Sequence, residues 1–100
     1  MVDLSLVRGF QWDQGNDRKS ADKHGVSQSE AEQVFFNEPL LLLAGQQHSQ
    51  TEPRFNALGQ TDDHRLLHVT FALREQGRLI RVISARDTNR KERTRYEQEA

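Results

Sequence analysis

Apolar and polar residues alternate most cleanly between Leu66 and Leu73, where Leu67, Val69, Phe71 and Leu73 point one way and His68 and Thr70 the other. A period of two is the mark of a strand with one buried face. A shorter alternation runs from Arg54 to Gly59, with Phe55 and Ala57 set against Arg54 and Asn56. Leu79 to Arg86 is a third strand-like run, reached across a turn at Gly77, and Asp62-Asp63 supplies the turn before Leu66. Leu40-Leu41-Leu42-Leu43 is too short for a buried helix and reads as a further strand, begun after Pro39 stops the helix before it. Gly45 to Thr51 is polar without a period and is expected to be a loop.

The helical signals are local ones. Ser27-Gln28-Ser29-Glu30 fits a capping box, and the helix it opens carries Ala31, Val34 and Phe35 on one face. Asp17 to His24 reads as a short polar helix with Gly25 as its stop. Phe10 and Trp12 suggest a brief strand ahead of the turn-prone Asp13-Gln14-Gly15-Asn16, while Met1 to Arg8 has no pattern and is expected to be a loose extension. Asn89 to Glu97 is helix-prone, with Asp87 or Thr88 as the expected start. The prediction is a single α+β domain over residues 1–100: a short strand, two helices, an antiparallel sheet of about four strands, and a C-terminal helix. Helices cover one side of that sheet and the other side is partly open.

Composition narrows this reading. Hydrophobic residues make up 34% and charged residues 29%, so one small core must come from a few patterned segments. There is no cysteine, hence no disulfide or thiolate metal site, and no apolar run approaches the roughly 18 residues of a membrane span. A soluble, cytoplasmic protein without a membrane role is expected. The net charge of -1 hides an asymmetry. From Arg74 to Arg95 eight bases face three acids, whereas the first 73 residues hold six bases and ten acids. Such a split points to a polyanion or an acidic partner.

The open side of the sheet collects Arg54, Asn56, His68 and Thr70, joined by Arg81 if Ile80 and Val82 face the core. Arginine offers a planar fork of donors that suits phosphate, and histidine exchanges a proton near neutrality. Together they suit metal-free RNA cleavage, and they are also what any sheet can expose to water. Glu52, just before Arg54, can serve as a base or orient the guanidinium. Lys23 and His24 lie at a helix end, where a cation also simply complements the helix dipole. Arg86, beside the start of the last helix, can hold an anion or form a salt bridge, and strand alternation with the helix start is expected to aim it and Arg81 at one place. Arg90, Lys91, Arg93 and Arg95 make a basic helix face that is either solvated or follows an RNA backbone, and Tyr96 is expected to pack. No phosphate loop, cysteine nucleophile or metal-spaced histidine pair is present, so no metal or cofactor is expected.

Taken together these segments resemble the BrnT family, small toxins of type II toxin–antitoxin modules with a RelE-like ribonuclease fold. The likeness runs through Phe10-Gln11-Trp12-Asp13, Lys23-His24-Gly25-Val26, Ala31 with Val34-Phe35, and Glu52-Pro53-Arg54-Phe55 with Gly59. It continues through Leu66-Leu67-His68-Val69-Thr70-Phe71, Ile80-Arg81-Val82-Ile83-Ser84-Ala85-Arg86 and Arg90-Lys91-Glu92-Arg93, about residues 10 to 97 in all. The resemblance implies an endoribonuclease that inhibits translation and is neutralised by a BrnA-like ribbon-helix-helix antitoxin, the complex meeting operator DNA mostly through the antitoxin. It places His24, Glu52, Arg54, Arg81 and Arg86 at recurrent polar motif positions, whereas His68 rests on the strand-face argument. Two departures stand out. Asn16 and Ser20 occupy positions where family members often have lysine and asparagine, which puts RNA contacts through those side chains in question. Pro53 replaces a common glutamate, leaving Glu52 as the carboxylate nearest Arg54. The competing readings are a non-catalytic corepressor subunit of an antitoxin–DNA complex, and a regulatory subunit with an open sheet edge.

Overall fold

The computed structural model describes residues 3–43, 47–48 and 52–100. In chain order these form a 3-10 turn at Leu4–Leu6, β1 (Gly9–Phe10), α1 (Lys19–His24), α2 (Gln28–Gln33), β2 (Leu41–Leu42), β3 (Gln47–His48), β4 (Pro53–Gln60), β5 (Leu66–Arg74), β6 (Leu79–Asp87) and α3 (Arg90–Glu99). The meander expected from alternation is present, and the strands lie side by side in the order β1-β6-β5-β4-β2, with β3 also paired to β4.

Three features of the sheet differ from the sequence-based expectation. It has five strands along its main path rather than about four, and it is mixed, because β1 runs parallel to β6 with Gly9 opposite Leu79 and Phe10 opposite Ile80. Part of the stretch expected to be a loop is a strand: Gln47 and His48 pair with Arg54 and Pro53, while residues 45–46 and 49–51 of that stretch lie outside the described residues. A two-residue strand is below the length at which periodicity can signal anything. The third difference is a bulge. Thr70 faces Ser84 while Phe71 faces Val82, so Ile83 is the extra residue of β6.

The main core cluster lies on one face, while Leu58 and Ala72 on the other face are also fully buried. Leu67, Val69 and Phe71 of β5, Ala57 of β4, and Ile80, Val82 and Ala85 of β6 are buried against Val26, Ala31 and Val34. A file of rings runs through it, Phe10 to Phe35 at 5.7 Å, Phe35 edge-on to Phe71 at 5.1 Å, and Phe71 to Phe55 at 5.7 Å. Such edge contacts add to the burial itself. The end of α2 sits so close to β4 that a Cβ on Gly59 would lie 2.7 Å from a Val34 methyl. Leu4 and Val7, in the stretch without a pattern, also pack against this core.

The helix ends follow their local chemistry. Ser27 and Glu30 complete the expected capping box, and Gly25 ends α1 with a left-handed φ of 66°. α1 begins at Lys19, two residues later than expected, because residues 14–18 are spent in turns. α3 begins at Arg90, later than Asp87 or Thr88, since Asp87 is still in β6 and Asn89 forms a capping box with Glu92. Tyr96 packs as expected, its hydroxyl donating to the Pro39 carbonyl at 2.6 Å.

Beyond β1, the outer edge of β6 is closed by side chains of the Asp13–Ser20 segment. The buried Asn16 donates to the carbonyls of Gln11 at 3.0 Å and Val82 at 2.9 Å, and accepts from the Asp13 N–H at 2.8 Å. The Ser20 hydroxyl accepts from the Ala85 N–H at 2.8 Å. The two departures from the family pattern therefore satisfy strand-edge backbone inside the protein. Both side chains are thus engaged inside the fold.

Candidate functional site

On the face of the sheet opposite the core, cross-strand register sets out three rows. Arg81 faces Ala72 in the first, Asn56, Thr70 and Ser84 share the second, and Leu58, His68 and Arg86 share the third. Arg54, two residues before Asn56, extends the first row into β4, and Arg74 stands at its outer side. In a regular strand, residues 81 and 86 would point to opposite faces because their spacing is odd. The extra residue Ile83 resets the parity and puts Arg81 and Arg86 on the same face. They do not point at one place, however, and the expectation that they would is corrected. Two rows at about 3.3 Å per residue separate them by roughly 13 Å at the backbone.

The first row is a cluster of ions. Arg81 forks onto Asp13 at 2.6 and 3.0 Å and reaches the Gln11 side chain at 3.2 Å, which leaves it 13% exposed. Arg74, a residue to which the sequence reading gave no role, forks onto Glu52 at 2.8 and 2.9 Å. The Arg74 bond comes first among the causes that hold Glu52 below the ordinary carboxylate range, with the charges of Arg74, Arg81 and Arg54 assisting against burial. Arg81 does the same for Asp13, helped by the Gly15 N–H. Arg54 differs from its neighbours. Its Nε is buried and has no hydrogen-bond partner among the described residues. Three guanidiniums thus face two carboxylates, and one buried donor stays unsatisfied.

The third row lies under the first turn of α3. Arg86 forks onto Glu92 at 2.9 and 2.9 Å, so the expected anion pocket at the helix start is filled by the helix's own carboxylate. His68 Nε2 stands 3.9 Å from the same carboxylate, and its side chain is 13% exposed. Burial, and then the Arg86 charge, push the imidazole below its ordinary value of 6.5, outweighing Glu92. The shift favours the neutral form of the ring. An open hollow of about 430 Å³, lined by Leu43, Leu58, Asn89, Lys91, Glu92 and Arg95, adjoins this row.

The remaining expected site residues lie elsewhere. His24 ends α1 near Asp87, whose carboxyl its charge helps to lower, and this is the opposite end of the sheet from Glu52. Lys23 is exposed on the same helix end. The α3 bases do not share a face: Lys91 and Arg95 border the hollow beside the third row, while Arg93 lines a separate depression with Gln60, His64 and Tyr96. Arg90 is exposed at the helix start. Arg74 and Glu92 were missed because only their tertiary partners, Glu52 and Arg86, give them meaning. The available signals were the basic C-terminal quarter for Arg74 and the Asn89-x-x-Glu92 capping-box spacing for Glu92.

The sheet face opposite the main core thus sets forked arginine–carboxylate pairs and an imidazole beside the start of α3. A family model described as ribonuclease toxin, BrnT, of type II toxin-antitoxin system matches residues 12–92. The chain belongs to this family, so a ribonuclease toxin's RNA and an antitoxin are its partner classes. No curated protein matches it. Among the described residues no helix is long and apolar enough to cross a membrane, and no three His, Cys, Asp or Glu side chains are grouped to hold a metal ion.

Proposed function

We propose that the chain is an endoribonuclease that cleaves RNA by attack of a ribose 2′-hydroxyl on the adjacent phosphorus, with protein side chains and no metal ion supplying the catalysis. The scissile phosphate sits over the middle row of Asn56, Thr70 and Ser84. From there each flanking row is two residues away, about 7 Å, within reach of arginine on one side and histidine on the other. Arg54 and Arg81 neutralise charge that builds on the phosphoryl oxygens. His68 takes the 2′-hydroxyl proton as the new P–O bond forms. The bond to the 5′-oxygen breaks, that oxygen takes a proton from water, and a 2′,3′-cyclic phosphate remains. Glu52 keeps Arg74 and Arg54 in place, and Arg86 sets the environment of the imidazole.

The observation that carries this reading is the buried, partnerless Nε of Arg54 on the β4 side of the first row. A buried donor without an acceptor is unfavourable unless a ligand completes it, and a phosphate oxygen is the acceptor this cluster suits. Lys91 follows the RNA along the hollow, while Lys23, Arg90 and Arg93 contribute long-range attraction. His24 is assigned to the helix end. A ribbon-helix-helix antitoxin neutralises the toxin, carries most of the contact to operator DNA, and releases a cytoplasmic protein that stops translation.

One observation favours a second reading, a non-catalytic corepressor: Arg74, Arg81 and Arg86 are already neutralised by Glu52, Asp13 and Glu92. Incubating purified protein with RNA in excess EDTA separates the two. Fragments ending in 2′,3′-cyclic phosphate, lost in Arg54→Ala, are expected. RNA left intact at high protein concentration would end the ribonuclease reading in favour of a non-catalytic one.

A further inference from the structure

Glu92 has more partners than a helix cap requires. Its Oε1 accepts from the Asn89 N–H at 3.0 Å and from Arg86 at 2.9 Å; its Oε2 accepts from Arg86 at 2.9 Å and lies 3.9 Å from His68 Nε2. The carboxylate is itself only 18% exposed. A comparison within the molecule shows which contact is unusual. Glu30 occupies the same capping-box position in α2 and also binds an arginine, Arg65, at 3.0 Å. No histidine is among the groups that act on Glu30. Cap and arginine alone are thus explained by anchoring a helix, and the imidazole is what sets Glu92 apart.

We propose that Glu92 is a positioning residue for His68, holding Arg86 against the imidazole at rest and stabilising the imidazolium once the 2′-hydroxyl proton has arrived. This rests on the reading of His68 as the proton acceptor. At 3.9 Å the pair is too long for a hydrogen bond and short enough for strong attraction between opposite charges in a site this enclosed. At rest the carboxylate's charge is matched by Arg86, so the ring is not drawn into its charged form. When the ring takes a proton, the anion already in place offsets the repulsion from Arg86. The charged groups that face His68 are Arg86 from β6 and Glu92 from α3, while β4 presents Leu58. The carboxylate is held by the Asn89 backbone N–H, a bond that substitution of the Asn89 side chain leaves in place. A residue in the first turn of α3 thereby orients chemistry on β5.

The test compares Glu92→Gln with Asn89→Ala. Glutamine keeps the shape and the capping acceptor and removes the charge, whereas Asn89→Ala loosens the cap and leaves the carboxylate. In Glu92→Gln the single-turnover cleavage rate is expected to fall about ten- to hundred-fold at nearly unchanged RNA affinity. The His68 pKa, followed by NMR titration without RNA, is expected to fall below its wild-type value. Asn89→Ala is expected to change neither by more than about twofold. Equal cleavage per folded molecule in Glu92→Gln, or the same loss in Asn89→Ala, would show that Glu92 only anchors the helix. If wild-type protein itself leaves RNA intact, the ribonuclease reading fails separately. The NMR titration then still decides the coupling, and an unmoved His68 in Glu92→Gln overturns it.

Discussion

Replacing Arg54 by Met should move stability and activity in opposite directions. Methionine keeps most of the aliphatic stem and removes the buried Nε, which has no acceptor among the described residues. An unsatisfied buried donor costs about 1–3 kcal/mol, and the neighbouring guanidiniums of Arg74 and Arg81 already serve Glu52 and Asp13. Lost attraction to Glu52 takes back part of the gain, because Arg54 is the least of the three arginine charges acting on that carboxylate. The net expectation runs from no change to about 2 kcal/mol of added stability, and each kcal/mol raises Tm by roughly 4–8 °C in a domain of this size. Urea and thermal unfolding measure the first quantity, and RNA cleavage in EDTA measures the second. If Arg54 is the guanidinium that meets the transition-state charge, activity falls about 10²–10³-fold, the usual loss for one such donor. A variant that is less stable by more than about 1 kcal/mol and cleaves RNA at the wild-type rate would refute the reasoning, since Arg54 would then be structural.

Three further expectations concern the scaffold. Ser20→Ala removes the acceptor of the Ala85 N–H and should cost about 1–3 kcal/mol in urea unfolding; an unchanged midpoint would mean the β6 edge is satisfied in another way. Gly59→Ala places a Cβ 2.7 Å from a Val34 methyl, so overpacking of about 1–3 kcal/mol is expected from the same measurement. Acid should destabilise the protein in two stages. His68 and the carboxyls of Asp13, Glu30, Glu52, Asp87 and Glu92 all have folded pKa values below their unfolded ones. The unfolded chain therefore binds the extra protons, and stability falls as the pH drops, first below about 6.5 for the histidine and again below about 4 for the carboxyls. His68→Gln should abolish the first stage and keep the second; a first stage that survives the substitution belongs to another group.

Much of the site was legible as residues and little of it as contacts. Alternation in β4 and β5 put Arg54, Asn56, His68 and Thr70 on one face, and cross-strand register agrees. For Arg81 and Arg86 the same rule was insufficient, because their odd spacing reaches one face only through the bulge at Ile83. Which acid holds which arginine was not legible at all. Glu52 is two residues from Arg54 yet forks onto Arg74, and Arg86 chose Glu92, six residues ahead in the next helix. Asn16 and Ser20 stood out in the sequence as departures from the family pattern, and that they plug the β6 edge was not legible there.

The sequence by itself determined what depends on a few neighbouring residues: the period-two strands, the capping box at Ser27, the stop at Gly25 and the turn at Gly77, where φ is 88°. Each is decided by sterics or hydrogen bonds within one turn or one strand. The tertiary structure alone decided the parallel pairing of β1 with β6, the bulge and the ion pairs. These set groups far apart in the chain against one another, and their free energies depend on register and burial that no local period records. Family membership was legible in the order of the motifs; the buried, partnerless Nε of Arg54 and the desolvated His68 on one face emerged only with the assembled sheet.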